Sequence, residues 1–111
     1  DPTHHSTARE VRQMAMILLP NGRCTIEQIA RQLSVDRRTI HRQLAREGTS
    51  YTAEINALRR ELSDRHLANS KRALSEISYL LGFSGPAAYA KWHNQQFGHT
   101  ASQRRQNLTS S

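Results

Sequence analysis

Residues 25–44, Thr25-Ile-Glu-Gln-Ile-Ala-Arg-Gln-Leu-Ser-Val-Asp-Arg-Arg-Thr-Ile-His-Arg-Gln-Leu44, hold the pattern that decides the fold. Ile26, Ile29, Ala30 and Leu33 recur at three- and four-residue steps and so line one face of a short helix. Thr25 and Gln28 have the spacing of a capping box, in which the hydroxyl takes the third helical amide and the longer side chain returns to the cap. Ser34 and Val35 turn the chain, and Asp36 is placed to cap the next helix, which Ile40 and Leu44 anchor inward. With those two inside, Arg38, His41 and Arg42 project outward on consecutive turns, flanked by Arg37 and Arg46. A short apolar-faced helix, a tight turn and a helix crowded with cations make a helix-turn-helix, whose second helix suits a DNA major groove.

A degenerate copy, Ile77-Ser-Tyr-Leu-Leu-Gly-Phe-Ser84, follows 48 residues later. Upstream of the first unit, Val11, Met14, Ala15, Leu18 and Leu19 repeat at helical spacing until Pro20-Asn21-Gly22 stops them. Between the units, Gly48 ends one helix and a longer one covers about 52–68, with Ile55, Leu58 and Leu62 on one side and Tyr51 packing at its start. It is too long and too well patterned for a loose tether, so it should fix the distance between the units. The second unit begins near Leu74, with Ile77, Leu80 and Leu81 facing inward, Gly82 at the turn and Phe83 in the role of Val35. Ser84 or Gly85 caps the last major helix, with Pro86 in its first turn, where a missing amide proton does no harm. Tyr89 and Phe97 point to the core, Gly98 stops the helix, and a short final helix spans about 101–106.

The expected fold class is therefore all-α: seven helices forming two helix-turn-helix subdomains joined by a long linker helix. Its parts are a flexible leader or interdomain linker (1–7), a first subdomain (8–50), the linker helix (51–69), a second subdomain (70–106) and a disordered polar tail (107–111). The recognition helices fall at about 36–46 and 85–97.

Lys and Arg number 16 against 9 acidic residues, a formal charge of +7 that favours a polyanionic partner. Cys24 is the only cysteine, which excludes an intrachain disulfide and a Cys-based zinc cluster and suits a reducing cytoplasm. The longest apolar block, Met14 to Leu19, is too short for a membrane span or a signal-peptide core. The first residue is Asp1 rather than Met, as expected of a processed product or an excised fragment. The six His share no zinc-ligand spacing, and no cofactor loop, Ser-His-Asp set or paired carboxylates can be assembled. No enzymatic activity and no cofactor are expected. Cys24, just before a helix cap, reads as a small filler rather than a nucleophile.

Guanidinium forks pair bidentately with guanine O6 and N7, and an imidazole can donate to a purine acceptor. Arg38, His41 and Arg42 are accordingly the candidates for base edges, and Arg37, Thr39 and Arg46 for phosphates, which position a helix without reading sequence. The second recognition helix is poorer. Ala87 and Ala90 could pack on thymine methyls, Lys91 can reach a base, and Asn94 can hold a phosphate. Lys71 and Arg72 could hold phosphates before the fifth helix. Arg104 and Arg105 would either do likewise or lie solvated in the tail. This half should supply affinity and shape recognition while the first supplies most base discrimination. Trp92 lies beside the anchors, so core and a partner surface are both open to it.

The stretch from about Arg9 to Arg105 resembles the DNA-binding domain of AraC/XylS-type bacterial transcription regulators. The residues that carry the resemblance are Asp36-Arg-Arg-Thr-Ile-His-Arg-Gln-Leu44 with Arg46-Glu-Gly-Thr-Ser-Tyr51, then Glu76-Ile77, Leu81-Gly-Phe-Ser84, Tyr89, Phe97-Gly98 and Arg105. The resemblance implies recognition helices entering successive major grooves of promoter or operator DNA. It also implies activation through a surface that touches RNA polymerase, and a separate effector-binding or dimerisation domain, usually N-terminal, absent from these residues. Three positions depart from the family pattern. Ala73 stands where a Ser or Thr cap is usual, a loss of about 1 kcal/mol. His93 replaces a Phe, and Ala101 replaces a Pro. All three lie in the second half, which should be the less stable one and should gain order on DNA. Two other functions compete: a helical protein-interaction module docking an acidic partner, which an exposed Trp92 would favour, and a DNA-targeting appendage of a repair enzyme.

Overall fold

The computed structural model describes residues 6–69 and 71–109, which form seven α-helices and no strand. They are α1 (Thr7–Leu18), α2 (Ile26–Gln32), α3 (Arg37–Arg46), α4 (Tyr51–Leu67), α5 (Leu74–Leu80), α6 (Pro86–Phe97) and α7 (Ala101–Thr109), with a 3-10 turn at Leu19–Asn21. Short polar side chains start the first four. Ser6, Thr25, Asp36 and Ser50 accept the amides of Arg9, Gln28, Thr39 and Ala53 at 3.3, 3.1, 2.8 and 3.1 Å, each satisfying a donor that the helix cannot pair internally. α5 begins at Ala73 without a side-chain cap, as its sequence requires.

Two cores form around the shared helix α4. Val11, Ala15, Leu19, Ile29, Ile40, Leu44, Ile55 and Leu58 build the first, and Leu67, Ile77, Leu81, Tyr89, Trp92 and Ala101 the second. Leu62 packs against both. A chain of this length folded into one ball would have a radius of gyration of about 13 Å. The observed 15.1 Å, with a long axis of 42 Å, reflects two lobes on one rod.

The lobes repeat each other with one residue of slippage. Ser34, in the left-handed region at φ 59°, and Gly82, at φ 83°, occupy the same place in the two turns. In each, the following amide bonds back into the preceding helix, Val35 to the Ala30 carbonyl at 3.0 Å and Phe83 to that of Ser78 at 2.9 Å. The second turn carries one more residue, so α6 starts at Gly85–Pro86 where α3 starts at Asp36–Arg37. Tyr89 then matches Ile40, and His93 matches Leu44 as a fully buried anchor.

Three details differ from what the sequence suggests, and the place of Trp92, open between core and a partner surface, is decided. α1 begins at Thr7, which is buried, and its start is clasped by Glu47 from the far end of α3: the carboxylate accepts the Thr7 and Ala8 amides at 2.9 and 3.0 Å and the Ser6 hydroxyl at 2.9 Å. The leader assigned to 1–7 is thus shortened by its last residue, and residues 1–5 lie outside the described ones. α7 continues to Thr109, whose hydroxyl donates to the Arg105 carbonyl, so the tail assigned to 107–111 is helical for its first three residues. Arg104 and Arg105 are neither solvated nor directed at a ligand. Arg104 grips Asp64 of α4 with two hydrogen bonds of 2.9 and 2.8 Å while lying over Phe97, and Arg105 donates to the Leu67 carbonyl at the end of α4 and to the Arg72 carbonyl ahead of α5. Trp92 is core, its indole N–H donating to Asn56 Oδ1 of α4 at 2.9 Å.

Candidate nucleic-acid interface

α3 presents two unlike faces. Ile40 and Leu44 are sealed from solvent, while Arg37, Arg38, His41, Arg42 and Arg46 are exposed on the other side. Asp36 fixes where the helix begins. Its carboxylate takes the Thr39 amide and hydroxyl, which holds its pKa below the ordinary aspartate value and keeps the cap charged. Thr39 is half-buried with its amide committed to that cap, so only its outer edge faces solvent.

The cations of this helix are not equivalent. Arg37 donates to Glu27 of α2 at 3.0 Å, a surface pair that orients it along the α2–α3 edge. Arg38, His41 and Arg42 make no hydrogen bond or ion pair among the described residues. Three unpaired donors along one ridge leave their hydrogen-bonding capacity for a ligand with closely spaced acceptors. Arg46 lies at the margin, bordering a cleft of about 410 Å³ with Gln43 and Glu47.

α6 repeats this presentation with weaker chemistry. Tyr89, Trp92 and His93 are buried, whereas Ala87, Ala90, Lys91 and Asn94 are exposed. The structural repeat matches Ala87 to Arg38, Ala90 to His41, Lys91 to Arg42 and Asn94 to Ala45. It also matches Gln95, exposed one turn beyond Lys91, to Arg46. The sequence alone does not single out Gln95, because the offset of the degenerate copy is seen only once the extra residue in its turn is located. Lys71 is exposed ahead of α5; Arg72 is half-buried and leans toward Glu76 at 3.9 Å.

The remaining polar chemistry is structural. The Cys24 thiol lies 3.7 Å from the Tyr51 hydroxyl, and burial pushes its pKa up, opposite to what a nucleophile needs. Tyr89 is buried with its hydroxyl 2.7 Å from that of Ser63. Among the described residues, no group of three or more His, Cys, Asp or Glu side chains could hold a metal ion, and no helix is long and apolar enough to cross a membrane.

Residues 29–107 match the model of a helix-turn-helix domain family. The chain is 38% identical over 104 residues to the HTH-type transcriptional regulator VirS of Mycobacterium tuberculosis, covering 94% of this chain and 31% of that protein. It spans less than a third of the length of the curated relatives it matches. Among solved structures, a DNA-binding transcriptional dual regulator from Escherichia coli K-12 superimposes with a TM-score of 0.85 at 13% identity, covering 96% of both chains. The transcriptional regulator CdpR of Pseudomonas aeruginosa gives 0.69 at 29% identity over 74% of this chain and 26% of its own.

Proposed function

The chain belongs to the AraC-type helix-turn-helix family, the DNA-binding domains of transcription regulators, and we propose that it reads promoter or operator DNA with α3 and α6 in successive major grooves on one face of the duplex. The observation that carries the groove assignment is the unpaired ridge of Arg38, His41 and Arg42, opposite a fully buried anchor face. In this arrangement Arg38, His41 and Arg42 reach base edges, while Arg37, Thr39 and Arg46 engage phosphates. Ala87 and Lys91 face bases in the second groove, with Asn94, Lys71 and Arg72 on its phosphates. α3 discriminates sequence; α6 adds affinity.

The size fits. α4 has 17 residues, about 25 Å of rod at 1.5 Å per residue, and the 42 Å long axis exceeds the pitch of about 34 Å that separates neighbouring major-groove entries. Domain limits follow the two cores, with α4 as the shared element. The length of the relatives supports a further effector-sensing or dimerisation domain in the whole protein. Action as an activator through RNA polymerase, in the bacterial cytoplasm, rests on the family resemblance. Docking of an acidic protein partner loses its support, since the exposed Trp92 it called for is buried.

Selection of bound sequences from a random duplex pool tests the proposal. The expected product is a motif of roughly two helical turns, with stronger base preference in one half, and an affinity that falls steeply with salt. Absence of enrichment over the starting pool would overturn it.

A further inference from the structure

Arg59 sits midway along α4, between the two cores, and reaches out of the rod into the turn that precedes α6. Its Nε–H donates to the Leu81 carbonyl at 2.9 Å, and its guanidinium lies 4.4 Å from the centre of the Phe83 ring. Leu81 is the C-cap of α5, so its carbonyl is one of those that a helix end leaves without an internal partner. Among the described residues Arg59 pairs with no carboxylate. A half-buried arginine, with Cys24 and Tyr51 of the first lobe as electrostatic neighbours, thus directs its polar contacts at one carbonyl and one ring of the turn. The same turn touches the first lobe. A Cβ added to Gly82 would lie 3.1 Å from both Leu19 Cδ2 and the Leu19 carbonyl oxygen, and 3.4 Å from an Arg59 terminal nitrogen. The 3-10 turn of lobe one, the middle of α4 and the turn of lobe two therefore meet at one seam, closed by Arg59 and by the lack of a side chain at residue 82.

We propose that Arg59 is a positioning residue: it locks the α5–α6 turn to the linker helix, sets the angle between α3 and α6, and so determines the half-site spacing that the domain accepts. The DNA part of this rests on the function proposed above; the lock itself does not. Arg59 is on neither recognition ridge. Its effect on DNA is exerted through the direction in which α6 leaves the turn.

Two measurements on Arg59→Met, which keeps the aliphatic stem, separate the lock from its use. Without DNA, residual dipolar couplings from both lobes should fit a single alignment tensor in the wild type and require two in the variant. With a selected duplex, one base pair inserted between the halves turns the second groove by about 34°. It should weaken the wild type by about tenfold or more, a 1.4 kcal/mol change, and the variant distinctly less. Binding to a duplex that retains only the first half should be unchanged. A single tensor together with the wild-type spacing penalty in the variant overturns the proposal. Should Arg59→Met unfold the second lobe, Phe83→Leu, which removes the ring that lies under the guanidinium and against Tyr89 and Trp92 but keeps an apolar side chain in the second core, must loosen the lobes in the same sense; a rigid Phe83→Leu domain would overturn it equally. If the wild type selects no sequence, the DNA reading fails while the coupling measurement still decides the lock.

Discussion

Replacing His93 by Phe should stabilise the domain and flatten its response to acid. The imidazole is sealed from solvent, among Tyr89, Trp92 and Phe97, in the position that Leu44 fills in the first lobe. Its Nδ1 lies 3.0 Å from the His99 carbonyl, which can only accept, so Nδ1 carries the proton. Nε2 is then a bare lone pair, buried with no partner among the described residues. An unsatisfied buried polar atom costs about 1–3 kcal/mol, against about 0.5–1.5 kcal/mol for the one bond that Phe would give up. The freed His99 carbonyl lies in a half-buried segment that water can reach. The net gain is on the order of 1 kcal/mol, or roughly 4 °C in melting temperature for a domain of this size.

Charge adds a second readout. Burial pushes the His93 pKa below its ordinary value; the His99 carbonyl and Asp64 pull it upward, while His99 and Arg104 push it down. A histidine whose pKa is depressed in the fold contributes full stability above its unfolded value near 6.5 and loses it as pH falls, because the unfolded chain then binds the extra proton. Thermal unfolding at pH 7.5 and 5.5 should show the Phe variant melting higher at both, with the wider gap in acid. The depressed pKa of His66 is common to both proteins and cancels. A variant that melts lower at pH 7.5, or that keeps the same gap at both values, would refute this account of the buried ring.

The other outcomes concern one helix start and one exposed cation. Ala73→Ser places a hydroxyl at a residue whose backbone (φ −71°, ψ 147°) already suits a cap. It should raise stability by about 1 kcal/mol in urea unfolding and increase hydrogen-exchange protection in α5 ahead of α2. Arg42→Ala should weaken a selected duplex by about 1–3 kcal/mol and relax preference at one base pair. An equal loss on random duplex, measured by fluorescence anisotropy, would make Arg42 a phosphate contact instead.

Much of this architecture is legible in the chain because it is local. Apolar spacing places the first six helices, and Thr25 and Asp36 mark where α2 and α3 begin. The exposed faces of α3 and α6 follow once Ile40, Leu44 and Tyr89 are set inside. What stays hidden is the long-range polar bonding. Arg59 to Leu81, Trp92 to Asn56 and Arg104 to Asp64 join residues 22, 36 and 40 positions apart. Nothing in the spacing of a helix says which distant group its arginine will meet. Cations are therefore read as surface or phosphate ligands by default. In α3 Arg38 and Arg42 stay unpaired while Arg37 meets Glu27 at the surface, whereas in α4 and α7 several close the structure instead.

Helices α3 and α6 differ in what they display, arginines and a histidine on α3 against alanines, one lysine and amides on α6, and both belong to one polypeptide. A two-fold symmetric dimer reads a palindrome alike from either end. Two unlike heads on a rigid shaft confer a heading: the domain would lie on its site in one polarity only, so reversing the site reverses the side on which any attached partner is presented. Orientation relative to a start point would then be encoded in a single bound molecule, with no need for a second copy.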